Sequence, residues 1–283
     1  MIRAEATRHA VRELCEVFEV SVSGYYAWAK RKPSRRAVGD GELAEHIERV
    51  HGASRKTYGS PRIVKALRQQ GVRCGKKRVA RLMKQKGLHG AQKARFRPRT
   101  TDSRHDLPIS PNRLAELSAV DRVNQVWVSD ITYIPTLEGW MYLAAFMDIK
   151  SRKIKGWALR NHMRTELVET AFHQAVFREG PVPGLIAHSD RGSQYASREF
   201  RRLLEQHQVL SSMSAKGNCY DNAAMESFWA TLKTDLGINQ PYKTKEEARR
   251  AIFDYIEVFY NRRRMHSAIG DLSPLDYELK LVA

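Results

Sequence analysis

The chain has 283 residues, 42% of them hydrophobic, with 49 Lys/Arg against 31 Asp/Glu and a net charge of +18. That length is enough for two domains with sizeable cores, and no apolar run approaches the ~20 residues that span a bilayer. The opening MIRAEATRHA lacks the apolar stretch of a secretory signal, and three cysteines without CxxC spacing (Cys15, Cys74, Cys219) argue against a zinc site or disulfide framework and fit a reducing compartment.

The front of the chain is where the charge lies. Residues 1–120 hold 27 Lys/Arg against 11 Asp/Glu, a net of +16, whereas residues 121–283 hold 22 against 20, a net of +2. Between Arg55 and Arg99 there are sixteen basic residues and no acidic one. A solvated face mixes signs, so this bias points to nucleic acid ahead of a membrane surface. Helical spacing of Val11, Leu14, Cys15 and Phe18 predicts a first helix, with a break near Val20–Ser21 and a second short helix carrying Tyr25, Tyr26 and Trp28. Asp40–His51 predicts another, with Leu43 and Ile47 inward. In SPRIVKALRQQG, Ser60 is the expected N-cap, Pro61 suits the first turn and Gly71 is a stop. KKRVARLMKQKG then turns Val79, Leu82 and Met83 inward, leaving Lys76, Lys77, Arg78, Arg81 and Lys84 as candidate DNA contacts. Helix, turn and basic second helix is the layout that enters a major groove; a merely solvated basic bundle is the alternative.

Residues 91–120 have scattered Arg, three prolines and no period, and predict a linker. Beyond it, Asn124–Pro135 is rich in aromatic and β-branched residues and predicts a strand, followed by two more joined by the polar turn DIKSRK. Helix is expected over Glu166–Phe177 and Arg198–Gln206, and strand over Gly184–Asp190 and Val209–Ser214. A helix through Met225–Leu232 and a long terminal one over Lys245–Arg263 complete the order β-β-β-α-β-α-β-α, which predicts a mixed sheet with helices on both faces.

Three acids stand out in that layout. Asp130 lies inside the first strand, where a bare charge costs several kcal/mol unless compensated. Asp190 closes the fourth strand, at the carboxyl end where α/β sheets place their chemistry. Glu226 sits at the edge of the stripe Met225, Phe228, Trp229, Leu232, while Asp221 precedes the helix as its expected N-cap. At ~100° per residue, Lys233 falls within about 20° of Glu226, roughly 10 Å further along the axis. Three converging carboxylates repel, and a hard divalent ion resolves the conflict; all-oxygen ligation suits Mg²⁺ or Mn²⁺. Two such ions about 3.5–4 Å apart activate the attacking oxygen and stabilise the leaving one in phosphodiester displacement. Taken singly, each acid also has a bland explanation: an arginine partner, a turn cap, a rim position.

The segments WVSDITYIPT, HSDRGSQY, DNAAMESFWATLK and YNRRRMHSAIG (Tyr260–Gly270) closely resemble the second-frame product of two-frame bacterial insertion sequences. These are transposases of the retroviral-integrase type with a D, D, E triad. The 35 residues between positions 190 and 226 match the family spacing, and YGSPRIVKALRQQGVRCGKKRVARLMKQKGL matches its helix-turn-helix region, so the resemblance spans essentially the whole chain. One departure is the lack of the His/Cys zinc domain that retroviral integrases carry at the N-terminus. The resemblance implies an α/β fold, a ribonuclease-H-like mixed sheet flanked by helices and preceded by an all-α helix-turn-helix region. It divides the chain into a helical DNA-binding region (1–90, with helix-turn-helix-like segments about 9–31 and 60–87), a linker (91–120), a catalytic core (121–240) and a C-terminal helical extension (241–283).

By the same resemblance, Asp130, Asp190 and Glu226 are the metal ligands, holding two Mg²⁺ for which Mn²⁺ substitutes, and Lys233 contacts end DNA. It implies a transposase that binds terminal inverted repeats, cleaves strands and joins the 3′-OH to DNA. Its partners would be double-stranded DNA, further copies of this chain and a first-frame protein, in the bacterial cytoplasm with the nucleoid. Water and a 3′-OH use the same ligands, so a purely hydrolytic nuclease stays open, as does a non-catalytic DNA-binding regulator. His188 either orients substrate or is structural; Asn222 serves Glu226 or the helix start; Arg264 is a candidate phosphate contact; Asn261 and His266 are polar groups that either reach the site or cap and pack. Asp148 belongs to a turn and is left out of the site.

Overall fold

The computed structural model describes residues 1–91, 106–180, 183–215, 222–238 and 240–282. The front of the chain is all helix: α1 (Ile2–Glu5), α2 (Val11–Val17), α3 (Val22–Ala29), α4 (Arg35–Ala53), α5 (Ser60–Gln69) and α6 (Lys76–Gln85). In α5 the helix begins at Ser60 itself, with Gly59 in the N-cap position and Pro61 in the first turn, so Ser60 is not the cap expected. Gly71 and Gly87 both take positive φ just beyond the ends of α5 and α6, which only glycine does without strain. Fully buried Ile47, Ile63, Leu67 and Val79 join α4, α5 and α6 into one core. Each such side chain contributes about 1.5–3 kcal/mol by leaving water.

The back of the chain is a five-stranded sheet in the order β3-β2-β1-β4-β5. Here β1 is Val126–Thr136, β2 Gly139–Asp148, β3 Ile154–Arg160, β4 Ile186–Ser189 and β5 Leu210–Met213. Tight turns make β1, β2 and β3 antiparallel, while helical crossovers make β4 and β5 parallel to β1. This is the ribonuclease-H-like topology. Period-two alternation sends Trp127 and Ile131 to one face, under α7 (Thr165–Glu179), α8 (Ser193–Ala196) and α9 (Arg198–Gln206). A Cβ at Gly156 of β3 would collide with the Ala171 carbonyl and Ala175 amide, so glycine there lets α7 lie directly on the sheet. Val126, Val128 and Ile134 face the other way, under α10 (Ala223–Asp235) and the chain that follows it.

That last segment differs from the single terminal helix expected. α11 (Lys245–Phe253) passes into a π-helical stretch, Asp254–Tyr260, before α12 (Pro274–Val282). The wider turn places Tyr255 and Tyr260, five residues apart, on the same buried face with ring centroids 6.0 Å apart. α12 is clasped to β3 by charge: fully buried Lys155 lies 2.7 Å from both Glu179 and Glu278, and Lys153 3.0 and 2.8 Å from the same pair.

Front and back are not separate bodies. The Met265 amide donates to the Tyr58 hydroxyl at 2.7 Å, Lys65 pairs with Asp271 at 2.7 Å, and Arg55 pairs with Asp254. One apolar cluster runs from Leu43 through Ile63 to Val128 and Phe259. The latter part of the expected linker is also docked on the sheet edge: Ser110 bonds Ser211 at 2.8 Å, and the Arg113 amide bonds Ser212 at 3.0 Å. Asp148 is buried in its turn, accepting from the Asn124 and Ser151 amides at 2.6 and 2.7 Å.

Candidate active site

Two of the three acids are juxtaposed by strand register alone. Ser129 of β1 and Ser189 of β4 are partners on adjacent parallel strands. Asp130 and Asp190 each come one residue later, so they emerge side by side, a strand spacing of ~4.8 Å apart. Asp130 shares the face of Val128, which α10 covers, and Glu226 lies in the first turn of that helix with its side chain exposed. One turn on, Trp229 donates its indole N–H to Asp130 Oδ2 at 3.0 Å, and the Ile131 amide donates to Oδ1 at 2.8 Å. Asp190 Oδ1 accepts from the Gly192 amide at 3.0 Å.

Asp130 feels the charges of both other acids. Burial, then the charge of Asp190 and, more weakly, that of Glu226, push the Asp130 carboxyl up to about 7, against the pull of the Ile131 and Trp229 hydrogen bonds. Under the strand, the Tyr195 hydroxyl bonds Ser129 at 2.8 Å, and burial with the Asp130 and Asp190 charges raises its pKa well above the usual phenol value. Burial lowers Lys233, and the negative charge of Asp130 opposes that shift, so the ammonium sits within reach of this carboxylate's field.

Among the described residues, no three His, Cys, Asp or Glu side chains are grouped so as to hold a metal ion together. The acids nevertheless fit a divalent cation. Asp130 is driven towards its neutral form by burial and then by the Asp190 charge, a conflict that a cation would relieve; the donors are all hard oxygens, and Glu226 is exposed in the first turn of α10.

Several other candidates have structural partners instead. His188 is fully buried, its Nδ1 2.8 Å from Ser212 Oγ and its Nε2 3.1 Å from Ser214 Oγ, tying β4 to β5 behind Asp190. Asn222 is the buried N-cap residue of α10, makes no cap bond with its side chain, and its Oδ1 has no partner among the described residues. The cap expected at Asp221 lies outside the described residues. Asn261 extends the edge of β3, accepting from the Ile154 amide at 2.9 Å and donating to its carbonyl at 3.0 Å. Arg264 is buried with Nε 2.6 Å from Asp235, so this guanidinium is not at a DNA-facing surface. His266 packs edge-on against Tyr260, and burial, then the charges of Arg264, Arg62 and Arg152, depress it to about 3. For Asn261, Arg264 and His266 the common cause is that the C-terminal extension packs on the sheet, where these groups meet Ile154, Asp235 and Tyr260.

On α6, Lys76, Lys77 and Lys84 are exposed and form no salt bridge among the described residues. Arg78 and Arg81 are both held by Asp40 of α4, each at 2.6 Å. Reading the sequence missed Asp40, which is 38 residues from Arg78, and missed Trp229 and Tyr195, which pass as ordinary core aromatics. The only signal for Trp229 was its place one turn after Glu226.

The residues align with known proteins along their whole length. An integrase core domain model matches residues 120–219, a second one residues 226–281, and an HTH-like domain model residues 40–96. The chain is 45% identical over 267 residues to an uncharacterized 31 kDa protein of insertion element IS600 from Shigella sonnei, covering 94% of this chain and 98% of that one. It is 42% identical over 248 residues to the transposase for insertion sequence element IS904 of Lactococcus lactis, covering 88% and 98%. With the transposase InsF for insertion sequence IS3A of Escherichia coli it shares 36% identity over 286 residues, covering 100% and 98%.

Proposed function

Because this chain belongs to the insertion-sequence transposases, we propose that α5 and α6 bind the terminal inverted repeats of its element while Asp130, Asp190 and Glu226 serve strand cleavage and strand transfer. The observation that supports this reading is the register that sets Asp130 beside Asp190, with Glu226 one turn before Trp229, whose indole bonds Asp130. Two Mg²⁺ ions, with Mn²⁺ as substitute, would supply activation of the attacking oxygen and stabilisation of the leaving one, held by the three carboxylates.

The protein's own groups do the rest. Trp229 and the Ile131 amide fix the direction in which Asp130 presents its oxygens. Lys233, with no acid paired to it among the described residues, draws a phosphate towards the acids. In cleavage, the oxygen of water bonds to phosphorus, the bond to the 3′-oxygen breaks, and that oxygen leaves as a 3′-OH. In transfer, this 3′-OH bonds to a target phosphorus and displaces the target's own 3′-oxygen. One phosphoester bond replaces another, so transfer requires no covalent enzyme intermediate. The reaction brings two ends together, so a multimer on DNA belongs to this reading, with a first-frame protein as a further partner, in the bacterial cytoplasm. No helix among the described residues is long and apolar enough to cross a membrane.

The test is incubation with labelled end DNA, a plasmid and Mg²⁺. Cut ends joined to plasmid are expected, and Asp130→Asn, Asp190→Asn or Glu226→Gln should abolish both products. Cut ends without joined products would replace this reading with a hydrolytic nuclease. Cellular phenotypes unchanged by all three substitutions would replace it with a DNA-binding regulator.

A further inference from the structure

Arg78 and Arg81 are one turn apart on α6, and a single carboxylate from outside that helix holds both. Asp40 Oδ1 accepts from Arg78 Nε at 2.6 Å, and Oδ2 accepts from an Arg81 terminal nitrogen at 2.6 Å. The two guanidinium groups are not left equivalent. Arg81 is engaged at both ends, its other terminal nitrogen donating to Gln85 Oε1 at 3.3 Å. Arg78 is gripped only by its inner Nε, and its two terminal nitrogens make no hydrogen bond among the described residues. Its guanidinium lies against the start of α4, where a Cβ at Gly39 would come 3.4 Å from one terminal nitrogen.

That asymmetry has consequences for reading DNA. An exposed lysine such as Lys77 or Lys84 meets phosphate as a swivelling point charge and carries no sequence information. An arginine held at Nε keeps its end-on fork free, the geometry that meets guanine O6 and N7 together. Fixing the side chain before DNA arrives also reduces the rotamer freedom lost on binding. Meanwhile the negative charge of Asp40 removes part of the attraction to any phosphate. Arg81 and then Arg78 hold the Asp40 carboxyl below its usual range, so it stays charged throughout the neutral region.

We propose that Asp40 is a positioning residue for sequence recognition, presetting Arg78 as a guanine reader with Arg81 as its counter-strut, and trading indiscriminate affinity for discrimination. This rests on the reading of α6 as the DNA-contacting helix. Its own content is that an acid on α4 decides how one base pair is read.

The experiment uses the full-length protein. A preferred duplex is selected from a randomised pool and compared, by titration at fixed salt, with versions in which each G·C pair is replaced in turn and with random duplex. Asp40→Asn should lose about 5- to 150-fold of discrimination at one G·C pair, the range of a single bidentate arginine–guanine contact. Its binding to random duplex should stay equal or tighten. Arg78→Lys, which keeps charge and fold but lacks the fork, should lose discrimination at the same pair, and the double variant should lose no more than either alone. Equal weakening of Asp40→Asn on selected and random duplexes, or full discrimination in Arg78→Lys, overturns the proposal while leaving α6 as a DNA contact. If Lys77→Ala, Lys84→Ala and Arg78→Ala all leave every duplex bound as before, the reading of α6 falls and the proposal with it.

Discussion

The indole N–H of Trp229 and Oδ2 of Asp130 lie 3.0 Å apart, a single hydrogen bond joining α10 to the middle of β1. Through it, the helix that carries Glu226 is tied to the carboxylate with which Glu226 is proposed to act. Trp229→Phe keeps the aromatic packing against Phe228, whose ring centroid lies 4.7 Å away, but deletes the donor. By analogy with other groups that orient ligating carboxylates, cleavage should fall about 10- to 100-fold, recovering in part at raised Mn²⁺ or Mg²⁺. Single-turnover cleavage across a metal titration reads both effects. A variant with wild-type rates at every metal concentration would remove Trp229 from the site.

The raised carboxyl of Asp130 predicts how metal and pH combine. Its folded pKa, about 7, lies above the ordinary 3.8, so in metal-free protein its contribution to stability is complete below about 3.8 and is lost as pH rises through 7. A divalent cation favours the ionised form and reverses that loss. The rise in melting temperature on adding Mg²⁺ should therefore be larger at pH 8 than at pH 5.5, and absent in Asp130→Asn. Equal rises at both pH values would contradict the shift.

His266 predicts the opposite behaviour at acid pH. Its folded pKa is depressed to about 3 from 6.5, chiefly by burial and then by the surrounding arginines. A histidine that resists protonation when folded leaves stability intact above 6.5 and erodes it as pH falls from there towards 3. Urea midpoints should drop between pH 7 and pH 5 in the wild type, and drop less in His266→Phe, which keeps an aromatic ring beside Tyr260. The same pH dependence in both proteins would place the acid-sensitive group elsewhere.

Lys77 and Lys84 are, with Lys76, exposed cations of α6 without a salt bridge among the described residues, and their contribution should be indifferent to sequence. Alanine at either should weaken binding of all duplexes by a similar factor and reduce the slope of log K against log salt by about 1. Titrations at several salt concentrations measure this directly. A loss confined to one sequence would instead make the lysine a base contact.

Local chemistry made much of this architecture legible in the chain. The strands were visible because β-branched and aromatic residues cluster in short runs bounded by turns, and α5 and α6 because apolar residues, Pro61 and the stopping glycines mark a period near 3.6. Asp130 stood out because an acid inside an apolar strand demands a compensating partner, and that demand is written in its immediate neighbours. The π-helical turn at Asp254–Tyr260 was invisible for the converse reason: its spacing of buried residues fits an ordinary helix until the sheet it packs on is known.

What only the folded molecule decided was which polar groups remain available. Arg264 and Arg78 look alike as residues near basic stretches, yet one is buried on Asp235 and the other is steered by Asp40. His188 looked like a candidate beside Asp190 until Ser212 and Ser214 took both its nitrogens. In each case the partner is 24 to 38 residues away along the chain and comes into hydrogen-bonding distance only because sheet register and helix packing put it there. Periodicity is a property of neighbours in sequence and survives without a fold; the fate of a charge depends on neighbours in space, which exist only once the chain has packed.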